Sequence, residues 1–416
     1  MGIIADKYGP FVLMCFASAC GIVGLGLMTI ATGFRIDNLI FVAFFLIGVM
    51  ALSAAVNTVQ VGMLFGPVTR QRVISALNTL FDAGLLTYLA LWGIQEASGC
   101  TLEVLLGCYI AVGVFCFAGS INYWRVVVPV DVEDEEPTEE EDVFVASPTE
   151  ECSNEEEERV FSNQMQTKDE PSDESDCPGC AVKCAATPGT VIINNDDDYV
   201  LIADRPPMQQ LRSRQFLTLS AFFAIHATRD MFNLTTARDF LAFLGDDETG
   251  NKYLTIYTLL TPASILGLPI LDFVLTRHGY HAGLQTVNGL ALAQGIIMVS
   301  SDNLNVQVLG FIFASFFRCF MYTICLGILP AFLGTNAVGK GSGIMPCAAG
   351  LLSLVNIPLA GWAVNSLRGN FFYPNLMYTL IVLPCVYLAW SLGQGMKRED
   401  KAKNRLVRSN RDKQED

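Results

Sequence analysis

Residues 1–34 read MGIIADKYGPFVLMCFASACGIVGLGLMTIATGF. From residue 8 to residue 34 there is no charged side chain. A helix crosses the hydrocarbon of a bilayer on roughly 20 apolar residues, so this stretch predicts a transmembrane helix. Directly before it stands Gly2-x-x-x-Asp6-Lys7-x-Gly9. Glycine permits a tight turn and a close approach between helices. An aspartate beside it can cap a helix or pair with a base on a neighbouring one. The motif therefore sits on a short turn where the chain enters the membrane.

The same reading, carried outward, predicts ten spans: 8–34, 38–69, 73–95, 104–124, 215–233, 253–276, 278–301, 303–333, 341–367 and 369–396. Four precede a long polar stretch and six follow it, which predicts an all-α integral membrane fold. The composition agrees: 52% of the 416 residues are hydrophobic and 16% charged, where soluble domains average roughly 25% charged. A soluble enzyme, a nucleic-acid binder and a secreted disulfide scaffold are all disfavoured. Most of the 13 cysteines lie in apolar runs, where cysteine behaves as a small hydrophobe.

The net charge of −15 is local: residues 131–204 hold 24 acids against three bases, and the rest of the chain carries +6. This acidic insert is rich in Glu, Asp, Ser and Pro and too poor in apolar surface to fold alone. The expected organisation is an N-terminal half (1–125), a disordered acidic loop (126–212), a C-terminal half (213–396) and a charged tail (397–416). An even number of spans puts both termini on one side. With that side cytoplasmic, 20 bases lie inside, four outside (Arg35, Arg238, Lys252, Arg368) and two, Arg229 and Arg318, within spans. Positive charge marks the cytoplasmic side. The insert and the basic tail are thus expected in the cytoplasm, where regulators of the acidic loop are conceivable partners.

The turn motif has an echo in the second half, Gly267-x4-Asp272-x4-Arg277-x-Gly279, with longer spacing. A hairpin later, Phe65-Gly66 followed by Arg70 and Asp82-Ala83-Gly84 matches Leu333-Gly334 followed by Lys340 and Ala348-Ala349-Gly350. Repeated halves are common in transporters. On these residues the chain resembles the major facilitator superfamily, whose plan has twelve helices. The strings NTLFDAG (78–84), HATRDMFNLTTARDFL (226–241), FFRCFMY (316–322) and GKGSGI (339–344) resemble the system-L-type amino-acid transporters of solute carrier family 43 and their fungal relatives. The resemblance covers nearly the whole chain except 126–212. It implies facilitated transport of large neutral amino acids without ion coupling, by rocking of two halves about a central site. It also implies that Gly2–Gly9 is the loop after helix two, so that helices three to twelve of the plan are present here and the first two are not. Another small organic solute, with proton coupling through Asp82 or His226, is the runner-up. A non-transporting scaffold or receptor-like membrane protein is a third alternative.

Polar groups within spans are costly and usually face the bundle interior or a water-filled path. His226, Arg229, Asp230 and Asn233 recur at i, i+3, i+4 and i+7 and read as one polar stripe. Arg229 is expected to bind a substrate carboxylate, to form a structural pair with Asp230 or another acid, or to gate the outer mouth. Arg318, with Tyr322 one turn on, is the deepest base, and must meet a carboxylate: the substrate's, or that of Asp82. Asn78 and Asp82 share a face, as do Asn57 and Gln60. These ten residues are the candidate substrate site. Gly2, Asp6, Lys7, Gly9, Asp272 and Arg277 are the candidate gating residues, with Asp272 expected to pair with Arg277. Cys177-x-x-Cys180-x3-Cys184, with Cys152, makes an incomplete metal half-site. No metal, cofactor or nucleic acid is expected, and no enzymatic constellation stands out; the implied partners are a small solute and the lipid bilayer.

Overall fold

The computed structural model describes residues 1–127 and 200–415, and they are helical throughout, with no strand among them. The acidic insert up to residue 199 lies outside the described residues, and with it the Cys152, Cys177, Cys180 and Cys184 set. The N-terminal helices are α1 (Gly2–Phe34), α2 (Asp37–Met63), α3 (Pro67–Ala83), α4 (Leu85–Ser98) and α5 (Leu102–Val127). After the insert come α6 (Pro207–Leu211), α7 (Arg214–Phe243), α8 (Lys252–Leu260), α9 (Leu268–Ser300) and α10 (Leu304–Phe332). Then follow α11 (Thr335–Ser353), α12 (Asn356–Gly361), α13 (Phe372–Leu380) and α14 (Val382–Glu415).

Seven described segments are long and apolar enough to cross a membrane. The other three stretches expected to span are covered differently. Residues 73–95 are shared between α3 and α4, interrupted at Gly84. Residues 253–276 are broken by a 3-10 turn at Pro262–Gly267. The third, in α7, is a continuous 30-residue helix that carries polar residues within it.

Small residues explain the packing of α1 on α2. A Cβ on Gly21 would lie 2.4 Å from Met50 Sδ, and one on Gly24 would lie 3.0 Å from Ile47. In lipid there is no hydrophobic force between helices, so close backbone approach over small residues supplies the contact. The opposite faces expose Phe16, Val23, Phe41, Phe44 and Phe45, as a lipid-facing surface does.

Gly9 breaks α1 with φ 80°, a conformation that strains any residue with a Cβ, and Pro10 opens the long helix beyond it. Gly279 makes the same break in α9, with φ 75°. The two turn motifs thus fold alike despite their different spacing.

α7 starts at Ser213, whose Oγ accepts the Phe216 N–H at 3.2 Å. It packs against α10, α11 and α14 around Phe216, Phe222, Phe223, Phe317 and Met321. The acidic loop was expected to run to residue 212, but residues 200–212 are folded. Ile202 is fully buried, and Gln210 joins Ala203 O and Arg205 O to the Gly334 N–H ahead of α11. The acidic composition hides this short apolar anchor.

Candidate functional site

The α7 stripe divides into two environments. At about 100° per residue, Arg229 and Asp230 lie on opposite sides of the line joining His226 and Asn233. His226 turns to α9, where Nε2 meets Asn288 Oδ1 at 3.0 Å. The Asn288 amide donates to Cys385 O and Gln285 Oε1. That fixes Oδ1 as the acceptor, so His226 donates from Nε2. Its ring packs edge-on against Phe222. Arg229 turns the same way: Nη2 donates to Ala291 O at 2.7 Å, and the guanidinium lies 5.1 Å from the Phe317 ring centre. It is 1% exposed. Both residues therefore stitch α7 to α9 inside the C-terminal half.

Asp230 turns the other way, to α10. Its Oδ2 lies 3.4 Å from Arg318 Nη1, with the two side chains 10% and 13% exposed. The Arg318 guanidinium also sits 5.9 Å from the Tyr322 ring centre, and Tyr322 meets Phe223 edge-on. One turn on, Asn233 lines a small cavity of about 20 Å³ with Thr236, Tyr257, Gln294 and Asn375. Gln294 Oε1 and Asn375 Nδ2 are buried there without hydrogen-bond partners. The cavity is polar and has room for about one water.

On the N-terminal side, buried Asn57 turns to α1, with Nδ2 3.3 Å from Met14 Sδ. Gln60 and Asn78 are half-buried, and Asn78 Nδ2 has no hydrogen-bond partner. The Asp82 side chain, and so its expected pairing with Arg318, lies outside the described residues. Asp230 was not foreseen as the acid that meets Arg318.

Two ion pairs hold one end of the bundle. Asp6 Oδ2 accepts the Lys340 N–H at 2.9 Å and lies 3.8 Å from Lys340 Nζ. Gly2 lets α1 approach so closely that a Cβ on it would lie 1.9 Å from Gly339 O. Asp272 accepts from both Nε and Nη2 of Arg72, each at 3.1 Å. This corrects the expected Asp272–Arg277 pair. Five residues along a helix turn two side chains about 140° apart, and Arg277 instead lies over the Phe273 ring. Lys7 lies over Tyr8. The two clamps are reciprocal: the first-half aspartate meets α11, and the second-half aspartate meets α3. Arg72 and Lys340 each stand six residues past a repeated glycine, Gly66 and Gly334. That register was readable in the sequence, though Arg70 was the residue paired with Lys340 there.

Two solved structures share this architecture. One is a variant of the E. coli fucose:proton symporter FucP, with TM-score 0.59 and 12% identity, covering 94% of this chain and 86% of that one. The other is FucP in the outward conformation, with TM-score 0.57 and 12% identity, covering 94% and 85%. At such identity the likeness is one of fold. No curated protein matches the chain in sequence. The family model described as Major Facilitator Superfamily matches residues 1–281, well over half the chain, and the apolar helices fit it. The chain is a multi-pass membrane transporter that belongs to the Major Facilitator Superfamily.

Proposed function

We propose that this transporter carries large neutral amino acids by alternating access, with the zwitterion recognised at Arg318 and Asp230. One observation carries the reading. At membrane depth a guanidinium and a carboxylate stand 3.4 Å apart, and they are the mirror charges of an α-carboxylate and an α-ammonium. Arginine matches a carboxylate bidentately, and Asp230 accepts from an ammonium. A bound zwitterion replaces one ion pair with two and leaves neither Arg318 nor Asp230 unpaired. Tyr322 supplies a neighbouring ring for an apolar side chain. Arg229 and His226 position α7 rather than touch substrate. The resemblance in residues 226–241 and 316–322 supports the same substrate class.

The orientation belongs to this proposal. The 20-to-4 distribution of bases favours a cytoplasmic clamp end, with the acidic insert as a cytoplasmic linker between the halves. Asp6–Lys340 and Asp272–Arg72 then close the cytoplasmic mouth and open as the halves rock.

The test is competition for leucine uptake. Leucine methyl ester and N-acetyl-leucine each lose one of the two charges. Both should fail to compete, while phenylalanine and methionine compete well. Equal competition by either blocked analogue overturns the two-charge site. A second reading, solute–proton symport through Asp230, draws on the fold shared with a symporter named for fucose and protons. It predicts uptake that collapses with a protonophore; the amino-acid facilitator predicts uptake that does not.

A further inference from the structure

We infer that the junction of α7 and α14 is a binding site for the headgroup of an anionic glycerophospholipid. Where α7 begins, α14 runs beside it and leaves a cleft of about 380 Å³. Small-ligand sites span roughly 300–1,000 Å³. Gly395 holds the two helices together here, since a Cβ on it would lie 2.9 Å from Gln215 Cγ. Arg214 and Arg398 line the cleft from opposite helices. Both are exposed, and neither has an ion-pair partner among the described residues. Ser391 adds a hydroxyl between them.

The other wall is apolar. Tyr387 and Trp390 stack at 5.9 Å and 30° and are 59% and 50% exposed. Paired amphipathic rings are typical of the headgroup level of a membrane. Basic pockets at that level between helices hold lipid phosphates, and an arginine grips a phosphate bidentately. The charge step lies on α14 itself: an apolar run from Val382 to Trp390, then Lys397, Arg398, Lys401 and Lys403 against Glu399 and Asp400, a net positive stretch. A free anion would use the two arginines and leave the ring wall idle. A phospholipid uses both, with its phosphate on Arg214 and Arg398 and its first acyl carbons along Tyr387 and Trp390. The site lies away from Arg318 and Asp230 and does not depend on which solute is carried.

The experiment is native mass spectrometry and thermal unfolding of the purified full chain. The probes are phosphatidylserine, phosphatidylcholine, inorganic phosphate and a peptide covering residues 131–197. Phosphatidylserine should be retained and raise the unfolding temperature, and the other three should not. A cation at a membrane surface contributes about 1 kcal/mol, about fivefold in affinity. Arg214→Gln with Arg398→Gln should therefore weaken phosphatidylserine binding about 25-fold, while Arg214→Lys with Arg398→Lys keeps most of it. Trp390→Ala retains both cations and should weaken lipid binding too, which serves if the glutamine pair folds poorly. Undiminished lipid binding in the glutamine pair or in Trp390→Ala overturns the site. So does an equal loss in Lys397→Gln with Lys401→Gln, which would assign binding to the diffuse charge of the tail. Preferential capture of inorganic phosphate or of the acidic peptide also overturns it.

Discussion

Asp6→Asn should open the clamped end far more than Asp272→Asn does. The two aspartates occupy equivalent turns, yet their surroundings differ. The Asp6 side chain is 4% exposed and its partner Lys340 31%. Its Oδ2 holds a backbone N–H at 2.9 Å as well as the ammonium. A hydrogen bond to a charged group contributes about 1.5–3 kcal/mol, and here the backbone N–H is the partner within hydrogen-bond distance. Loss of the Asp6 charge should then shift the closed-to-open ratio by about one to two orders of magnitude. Arg72 and Asp272 are 59% and 41% exposed. Their bidentate geometry is good, but water and salt screen it, so the shift from Asp272→Asn should be small and should vanish in high salt. The assay is electron-spin distance measurement between labels at Leu64 and Met208, both exposed, in nanodiscs. A long-distance population should grow strongly in Asp6→Asn and barely in Asp272→Asn. An equal or larger opening in Asp272→Asn would refute the reasoning that burial decides which clamp dominates.

Three further outcomes follow from the same geometry. Arg318→Ala leaves the Asp230 carboxylate buried and unpaired, at a cost of about 3–5 kcal/mol; adding Asp230→Ala should restore thermal stability, and a double variant no more stable than the single would deny their coupling. Asp246 is buried, yet bonds from Thr249 Oγ1, Tyr253 N and Leu254 N hold its carboxyl below the usual carboxylate range against the opposing pull of burial. Its stabilisation is thus present above the unfolded-state value of about 3.9 and lost as pH falls through the lower folded-state value. Asp246→Asn should lower the unfolding temperature at pH 7, and the gap from the unaltered protein should close only in strong acid. Finally, replacing 131–197 by a flexible linker should preserve membrane expression, whereas a deletion reaching 204 should reduce it by removing buried Ile202; equal expression of both would show the anchor to be idle.

The membrane made much of the fold legible, because the bilayer demands long apolar segments and the chain supplies them. The repeat was legible for the same kind of reason. Gly9 and Gly279 mark positions where backbone conformation admits little else. What escaped depends on partners distant in sequence. Asp272 meets Arg72, 200 residues away, and local spacing offered only Arg277. Arg229 and Asp230 are neighbours on one helix, and only the positions of α9 and α10 decide that one is enclosed and the other faces Arg318. The anchor at Ile202 and Gln210 was masked by the acids before it.

Arg318 and Asp230 are the proposed zwitterion site. Radiolabelled leucine uptake into proteoliposomes, compared between the unaltered chain, Asp230→Asn and Arg318→Gln, tests it most directly. Saturable uptake that is insensitive to a protonophore and falls at least about tenfold in each variant, with folding retained, is the predicted result. Leucine uptake undiminished in a folded Arg318→Gln variant would contradict it.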